Sequence, residues 1–484
     1  MPTITFIKIH PAIGIARLGN SPTDYFIGPE KPGHTRAPAG GYRDAAGRIK
    51  RQAVRFRVYG YDQDDKLVKE ITKTDAGITW SVHLANQKAA WHQFDGLNPN
   101  APLRNGSVAN RDSLIIDPGS RSLNGPNQVA QFDTGQFLGA SVPLGEIRTD
   151  SQGRLLVLGG FGKSGSPANA VLTTYANNDG WYDDVSDGPV SATVTLKGSN
   201  QTFQAVGAWV ICGAPKFAPA IYSITTLYDV LLQVAVDKLG LQLPAKPSFT
   251  KDIYPILERA INMKWVSGII TNAQAHATLA AVIPPPGSAA ERAAIFGRLR
   301  NPNDGSGGDM PMVHSDNYPA GDNQPVTKTQ YGIMQKWQAG NFIHDWPGAP
   351  AASGPVTPAG LDRAGLDTCV GGPFYPGIEA GWLLRDTYTC SEPFRLYSAF
   401  LKPGDVTKQM AVPWQADFND CEQDGELAWW PAQRPDDVFP ESGGPQVPWT
   451  RSIVHRMSGM IKRWHQLGFV VKKGPRFVET DRRP

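Results

Sequence analysis

The chain has 484 residues, with 47 Lys+Arg against 44 Asp+Glu for a formal net charge of +3, and no basic run interleaved with aromatics, which argues against nucleic acid as a partner. The start, MPTITFIKIHPAIGIARLGN, lacks a basic region followed by a long apolar core, and no apolar run approaches bilayer length. We therefore expect a cytoplasmic chain without a secretory leader or a membrane partner, leaderless export remaining open. Four scattered cysteines, Cys212, Cys369, Cys390 and Cys421, exclude a disulfide scaffold, and no His/Cys cluster at zinc spacing points to a metal.

The length allows two to four folding units or one elaborated domain. Gly 51 and Pro 41 imply many loops, while 13 tryptophans demand burial. In chain order, RQAVRFRVYGYD at 51–62 alternates Val54, Phe56 and Val58 with arginines, and 77–84 alternates Ile78, Trp80, Val82 and Leu84. Both predict half-buried strands. RLLVLGG and SATVTLKG carry the pattern to about residue 212, so an antiparallel, sandwich-like assembly is expected there. Leu227, Val230, Leu231 and Val234 then stand at helical spacing within 224–240, SAAERAAIFGRLR reads as a serine-capped helix, and Ile453, Met457, Met460, Ile461, Trp464 and Leu467 mark a terminal amphipathic helix. The fold class expected is α+β: a β-rich part at 1–215, then a helical and loop-rich part at 216–484. Whether the two form one integrated domain is left open.

Four segments invite a chemical reading. LVLGGFGKSGSP could cradle an anion, but its glycine spacing fails the Walker pattern and Pro167 disfavours an immediate long helix, so a glycine-rich turn is preferred. YANNDGWYDDVSDGP at 175–189 gathers Asp179, Asp183, Asp184 and Asp187, which suit turns and caps better than calcium. CVGGPFYPGIEAG at 369–381 implies a tight backbone path beside something bulky. DFNDCEQDGELAWWPAQRPD at 417–436 sets Asp417 four residues before Cys421 and ends on Trp429, Trp430 and proline. Packing explains it, yet a cysteine sulfur bonded to an oxidised indole would make a quinone whose carbonyl is an electrophile for amines, with the carboxylate as base.

With HPAIGIARLGNS at 10–21, these segments resemble, in order, the LodA-like quinoprotein amino-acid oxidases, a family that includes lysine ε-oxidase and glycine oxidase. The resemblance implies cysteine tryptophylquinone as a self-derived cofactor, with Cys421 as its cysteine and Asp417 as the aspartate needed to form it. Trp430, which precedes proline, is the implied tryptophan, with Trp429 and then Trp449 as rivals. Tyr182 and Cys369 are the implied residues beside the quinone. It also implies oxidative deamination of an amino acid or other primary amine with O2, releasing ammonia and hydrogen peroxide, and maturation by a separate flavoprotein, since no flavin fingerprint occurs here. We further expect a homo-oligomer. The alternatives are a quinone-free binding protein on the same fold and an amine dehydrogenase with a protein electron acceptor.

Overall fold

Strand Arg51–Tyr61 is the organising element of the N-terminal half. Its first residues pair with Ile13–Arg17 and Tyr25–Ile27, its middle with Leu155–Leu158, and its last residues with Phe6–His10 and Leu67–Ile71. The computed structural model describes residues 3–33, 36–94, 100–272, 287–313, 326–348, 354–371, 380, 382–385, 387–420, 430–453 and 457–483. Among these, thirteen strands join one sheet, whose path runs through Arg121–Asn124, Ala76–Val82, Ser186–Leu196, Ala208–Gly213, Ile13–Arg17, Arg51–Tyr61, Leu155–Leu158, Glu146–Thr149 and Val129–Gln131. The ends of that path come together, for Arg121 Nε donates to Gln131 O at 2.7 Å. Trp80 crosses the interior, its indole N–H reaching Gly153 O at 2.9 Å. One apolar core, with Phe56, Trp80, Ile147, Val157, Val190 and Val210, fills the curl. This is the physical content of the sandwich-like expectation.

Two details differ from the sequence reading. The arginine face of Arg51–Tyr61 is buried rather than solvated, because Arg51 pairs with Glu146 at 2.8 Å and Arg57 with Glu30 at 2.8 Å and Glu70 at 3.1 Å. Paired and hydrogen-bonded cations can be taken out of water where lone ones cannot. The sheet also contains two parallel pairs, Ile13–Arg17 with Ala208–Gly213 and Tyr25–Ile27 with Arg51–Tyr61. The first joins segments so far apart in the chain that no local turn signal announces it.

Helices follow the sheet. Leu227–Lys238 begins at Thr226 with a capping box closed by Asp229, and the chain leaves it through Gly240 at φ +72°. Ala289–Phe296 has the same device in Ser288 and Glu291. Tyr254–Asn262 and Lys328–Gln338 were not anticipated, although Thr327 and Gln330 form a third capping box legible in the sequence. Among the described residues the terminal helix is Met457–Arg463, continued by a 3₁₀ turn at Trp464–Gln466 and a hairpin of Phe469–Lys473 with Arg476–Thr480. No helix among the described residues is long and apolar enough to cross a membrane. A second core, rich in aromatics, draws in the helices Tyr254–Asn262 and Lys328–Gln338 and contains Phe217, Trp414, Phe418, Trp430, Trp449, Trp464 and Phe469.

Candidate active site

Asp417 lies in the helix Trp414–Asp420 and is 2% exposed. A short strand pair, Ser164–Gly165 with Tyr182–Asp183, and a 3₁₀ turn at Lys88–Ala90 grip the start of that helix. Asp183 Oδ2 accepts from Trp414 N at 3.0 Å and from Lys88 Nζ at 2.8 Å, and Lys88 Nζ also donates to Ala411 O at 3.0 Å. The other Asp183 oxygen accepts from Asn86 Nδ2 at 3.0 Å and Val185 N at 3.2 Å. Both members of the ion pair are fully buried. Burial pulls the Lys88 pKa below its ordinary value, while Asp183 most strongly, and Asp417 more weakly, pull it back up. Arg104 adds a second cation, its guanidinium donating to Lys88 O at 3.1 Å and Met410 O at 2.9 Å.

Trp430 is 2% exposed, with its ring edge-on to Phe418, the residue after Asp417, at 5.0 Å between centroids. Such a contact adds about 0.5–1.5 kcal/mol to the burial itself. The turn that follows is fastened on both sides: Gln433 N and Arg434 N donate to Trp430 O at 3.0 and 3.3 Å, Arg434 Nε donates to Phe418 O at 2.6 Å, and Gln433 Nε2 reaches Ala214 O and Pro215 O at 3.1 and 2.9 Å. Trp430 and the helix of Asp417 are thus brought together at one place. Cys421 and Trp429 lie outside the described residues. Trp449 belongs to the same aromatic core, but its indole N–H is committed to Gly468 O at 3.0 Å and its ring packs on Phe217 at 4.9 Å.

Tyr182 stands one residue before Asp183, half-buried, with its ring 5.5 Å from Phe137 at the edge of the sheet core; burial and then Asp184 raise its pKa. Cys369 follows a 3₁₀ turn at Leu366–Thr368 and is buried, with Sγ 3.5 Å from Gly365 O and 3.6 Å from Arg17 Nη2. Tyr182, Cys369 and Trp430 therefore belong to three different apolar clusters. Gly371 passes so close to Thr226 that a Cβ there would stand 2.0 Å from its carbonyl oxygen, as a tight path requires. The segment 372–379 lies outside the described residues.

The glycine-rich stretch does receive a carboxyl group, and it is the chain's own. Phe161 N donates to Asp184 Oδ2 at 2.6 Å, and a Cβ on Gly160 would come within 2.4 Å of that oxygen. Burial raises the Asp184 carboxyl to about 7. Gly162, at φ +69°, lets Trp464 lie on the loop, while its carbonyl accepts from Gln415 Nε2 at 3.0 Å. Asp179 and Asp187 bind backbone and side-chain donors, Asn105 N at 2.6 Å for the first and Thr407 for the second. Among the described residues no group of three or more His, Cys, Asp or Glu is arranged to hold a metal. Sequence reasoning missed Lys88, Asn86 and Arg104; their partners lie far along the chain, Asp183 being 95 residues from Lys88.

Residues 10–212 match the family described as L-Lysine epsilon oxidase N-terminal, and residues 307–441 match the L-lysine epsilon oxidase C-terminal domain. The L-lysine 6-oxidase of Marinomonas mediterranea is 32% identical over 86% of this chain and 71% of that protein. The chain belongs to the LodA-like L-lysine ε-oxidase family. It is accordingly an oxidoreductase enzyme. The solved structure of the ε-lysine oxidase from the same organism superimposes with a TM-score of 0.81 at 27% identity, covering 98% of this chain and 95% of that one. Its Schiff base intermediate with L-Lys, also solved, gives 0.79 at 26% identity with the same coverage. The two matched regions meet at the site: Lys88 and Asp183 come from the first, Asp417 and Trp430 from the second.

Proposed function

We propose that this enzyme oxidatively deaminates an amino acid or other primary amine, using a cysteine tryptophylquinone made from its own Cys421 and Trp430. Amine, O2 and water would give an aldehyde or oxo-acid, ammonia and hydrogen peroxide. The single observation that carries the reading is the buried ring of Trp430 seated beside the helix that bears Asp417. In the sequence the cysteine directly follows Asp420 and stands nine residues before Trp430. When formed, the group supplies an electrophilic carbonyl for the amine and a sink for its electrons.

The chain's own residues do the rest. Asp417 takes the proton from the substrate carbon, a role for which general-base assistance is worth about 10²–10⁴-fold. Phe418, Trp414 and Trp464 exclude water around it; the Trp414 ring stands 4.8 Å from Phe418 and 5.3 Å from Trp464. Tyr182 and Cys369 shape the substrate's approach, and a separate flavoprotein carries out maturation. The homo-oligomer and the cytoplasmic location stand as expectations of the same reading.

The test is peptide mass mapping of natively produced protein, with L-lysine as the first substrate because a relative is an L-lysine oxidase. A joined Cys421–Trp430 peptide should have gained two oxygen atoms and lost four hydrogens. Unmodified Cys421 and Trp430 in protein that releases peroxide would sink the reading, and Trp449→Phe should leave the linked peptide intact where Trp430→Phe abolishes it.

A further inference from the structure

We propose that Lys88 is a positioning residue whose ammonium, locked between Asp183 and the Ala411 carbonyl at the entry to the Asp417 helix, keeps the Asp417 carboxylate ionised. The proposal rests on the reading of Asp417 as the proton acceptor and extends it to the group that sets its charge.

Lysine is almost never fully buried unless paired, because its compact ammonium loses a strong hydration shell. Lys88 is 1% exposed and Asp183 is fully buried. Fastening the helix does not require that expense. Asp183 Oδ2 accepts from Trp414 N, and a neutral amide oxygen at position 183 would accept from it as well. Likewise Ala411 O could be satisfied by a neutral donor. What the ammonium adds is positive charge beside a helix with a second buried carboxylate one turn on. Asp417 in turn supports the charged form of Lys88.

Among the described residues, further charged groups border this pair. Asp183 ends the short strand Tyr182–Asp183 and Asp184 follows it, Arg104 enters against Lys88 O and Met410 O, and Arg434 reaches the carbonyl of Phe418. Coupling among these buried groups makes the charge of any one member depend on the others. Removing Lys88 takes away a positive charge that couples to Asp417, so the Asp417 proton should bind more tightly. Removing the charge of Asp183 does the opposite.

The experiment follows the Asp417 carboxyl by infrared difference spectroscopy over a pH series in the full-length unmatured protein, its band assigned by loss in Asp417→Asn. Lys88→Gln should raise the midpoint by about 1 to 3 in pKa. Lys88→Arg should stay near wild type, and Asp183→Asn should not rise. In matured enzyme, the acidic limb of the kcat/KM profile should move in the same order. An unmoved midpoint in Lys88→Gln, or a rise in Asp183→Asn equal to that in Lys88→Gln, overturns the proposal; the second result would mean that loosening the helix is enough. A midpoint that moves while the acidic limb stays put sustains the charge role of Lys88 and overturns instead the reading of Asp417 as proton acceptor.

Discussion

Asp183, ending the short strand Tyr182–Asp183, and Asp187, four residues on in the strand Ser186–Leu196, hold the same C-terminal segment by opposite means. Asp187 uses neutral donors: Thr407 N at 2.8 Å, Thr407 Oγ1 at 2.6 Å, Val406 N at 3.2 Å and the Trp209 indole at 2.9 Å. Its carboxyl is raised to about 6 by burial, with those donors only partly restoring the charged form. Asp183 instead engages a buried cation and fastens the helix that carries Asp417. The difference teaches where charge is needed. An anchor that only holds backbone is built from dipoles, whereas the one beside the proposed chemistry contains a full positive charge that desolvation penalises.

The largest effect that would sharpen this comparison is chemical. Asp417→Ala should lose the visible absorbance of the cofactor, and peroxide release should fall by about 10²–10⁴-fold or more; wild-type absorbance and turnover would break the division between the two anchors. Next, Lys88→Met should lower unfolding free energy by about 3–5 kcal/mol by leaving Asp183 buried and unpaired. The double change with Asp183→Asn should recover part of that loss, as denaturant midpoints would show. At the neutral anchor Asp187→Asn should cost only about 1–2 kcal/mol, since an amide keeps an acceptor for Thr407. Gly162→Ala, which places a Cβ 2.1 Å from Trp464 at φ +69°, should cost about 1–3 kcal/mol and alter the near-UV signal of the aromatic core.

The comparison also extends to pH dependence. Asp184 and Asp187 have folded-state values of about 7 and about 6, raised from 3.8. The folded state thus binds their protons more tightly than the unfolded chain. The stability this contributes is fully present below about pH 4 and is lost as pH rises through about 6 and then about 7. Asp184→Asn should flatten the upper part of that decline in denaturation midpoints measured across the window, and an unchanged slope would remove Asp184 as its source.

Local chemistry made several elements readable without the structure. Ala76–Val82 alternates buried and exposed positions as its sequence does, and the capping boxes at Thr226 and Ser288 start their helices where the side chains dictate. Asp417, Cys421 and Trp430 were picked out by resemblance, in a short segment where order along the chain is itself informative. The burial of Arg51 and Arg57 could not be read, because an alternating arginine face looks solvated until Glu146, Glu30 and Glu70 arrive from elsewhere. The glycine-rich loop likewise declared that something would approach closely, but not that Asp184 and Trp464 would.

What the sequence by itself determined was therefore the periodic elements, the caps and the family-bearing residues, all governed by neighbours within a few positions. Only the tertiary structure decided that Lys88, Asp183 and the helix of Asp417 share one buried patch. Pairing of a cation with a carboxylate 95 residues away, and of that carboxylate with a backbone N–H 231 residues further on, leaves no local pattern. It is selected by the high cost of burying either charge alone, a cost that exists only once the sheet has closed and water has been expelled.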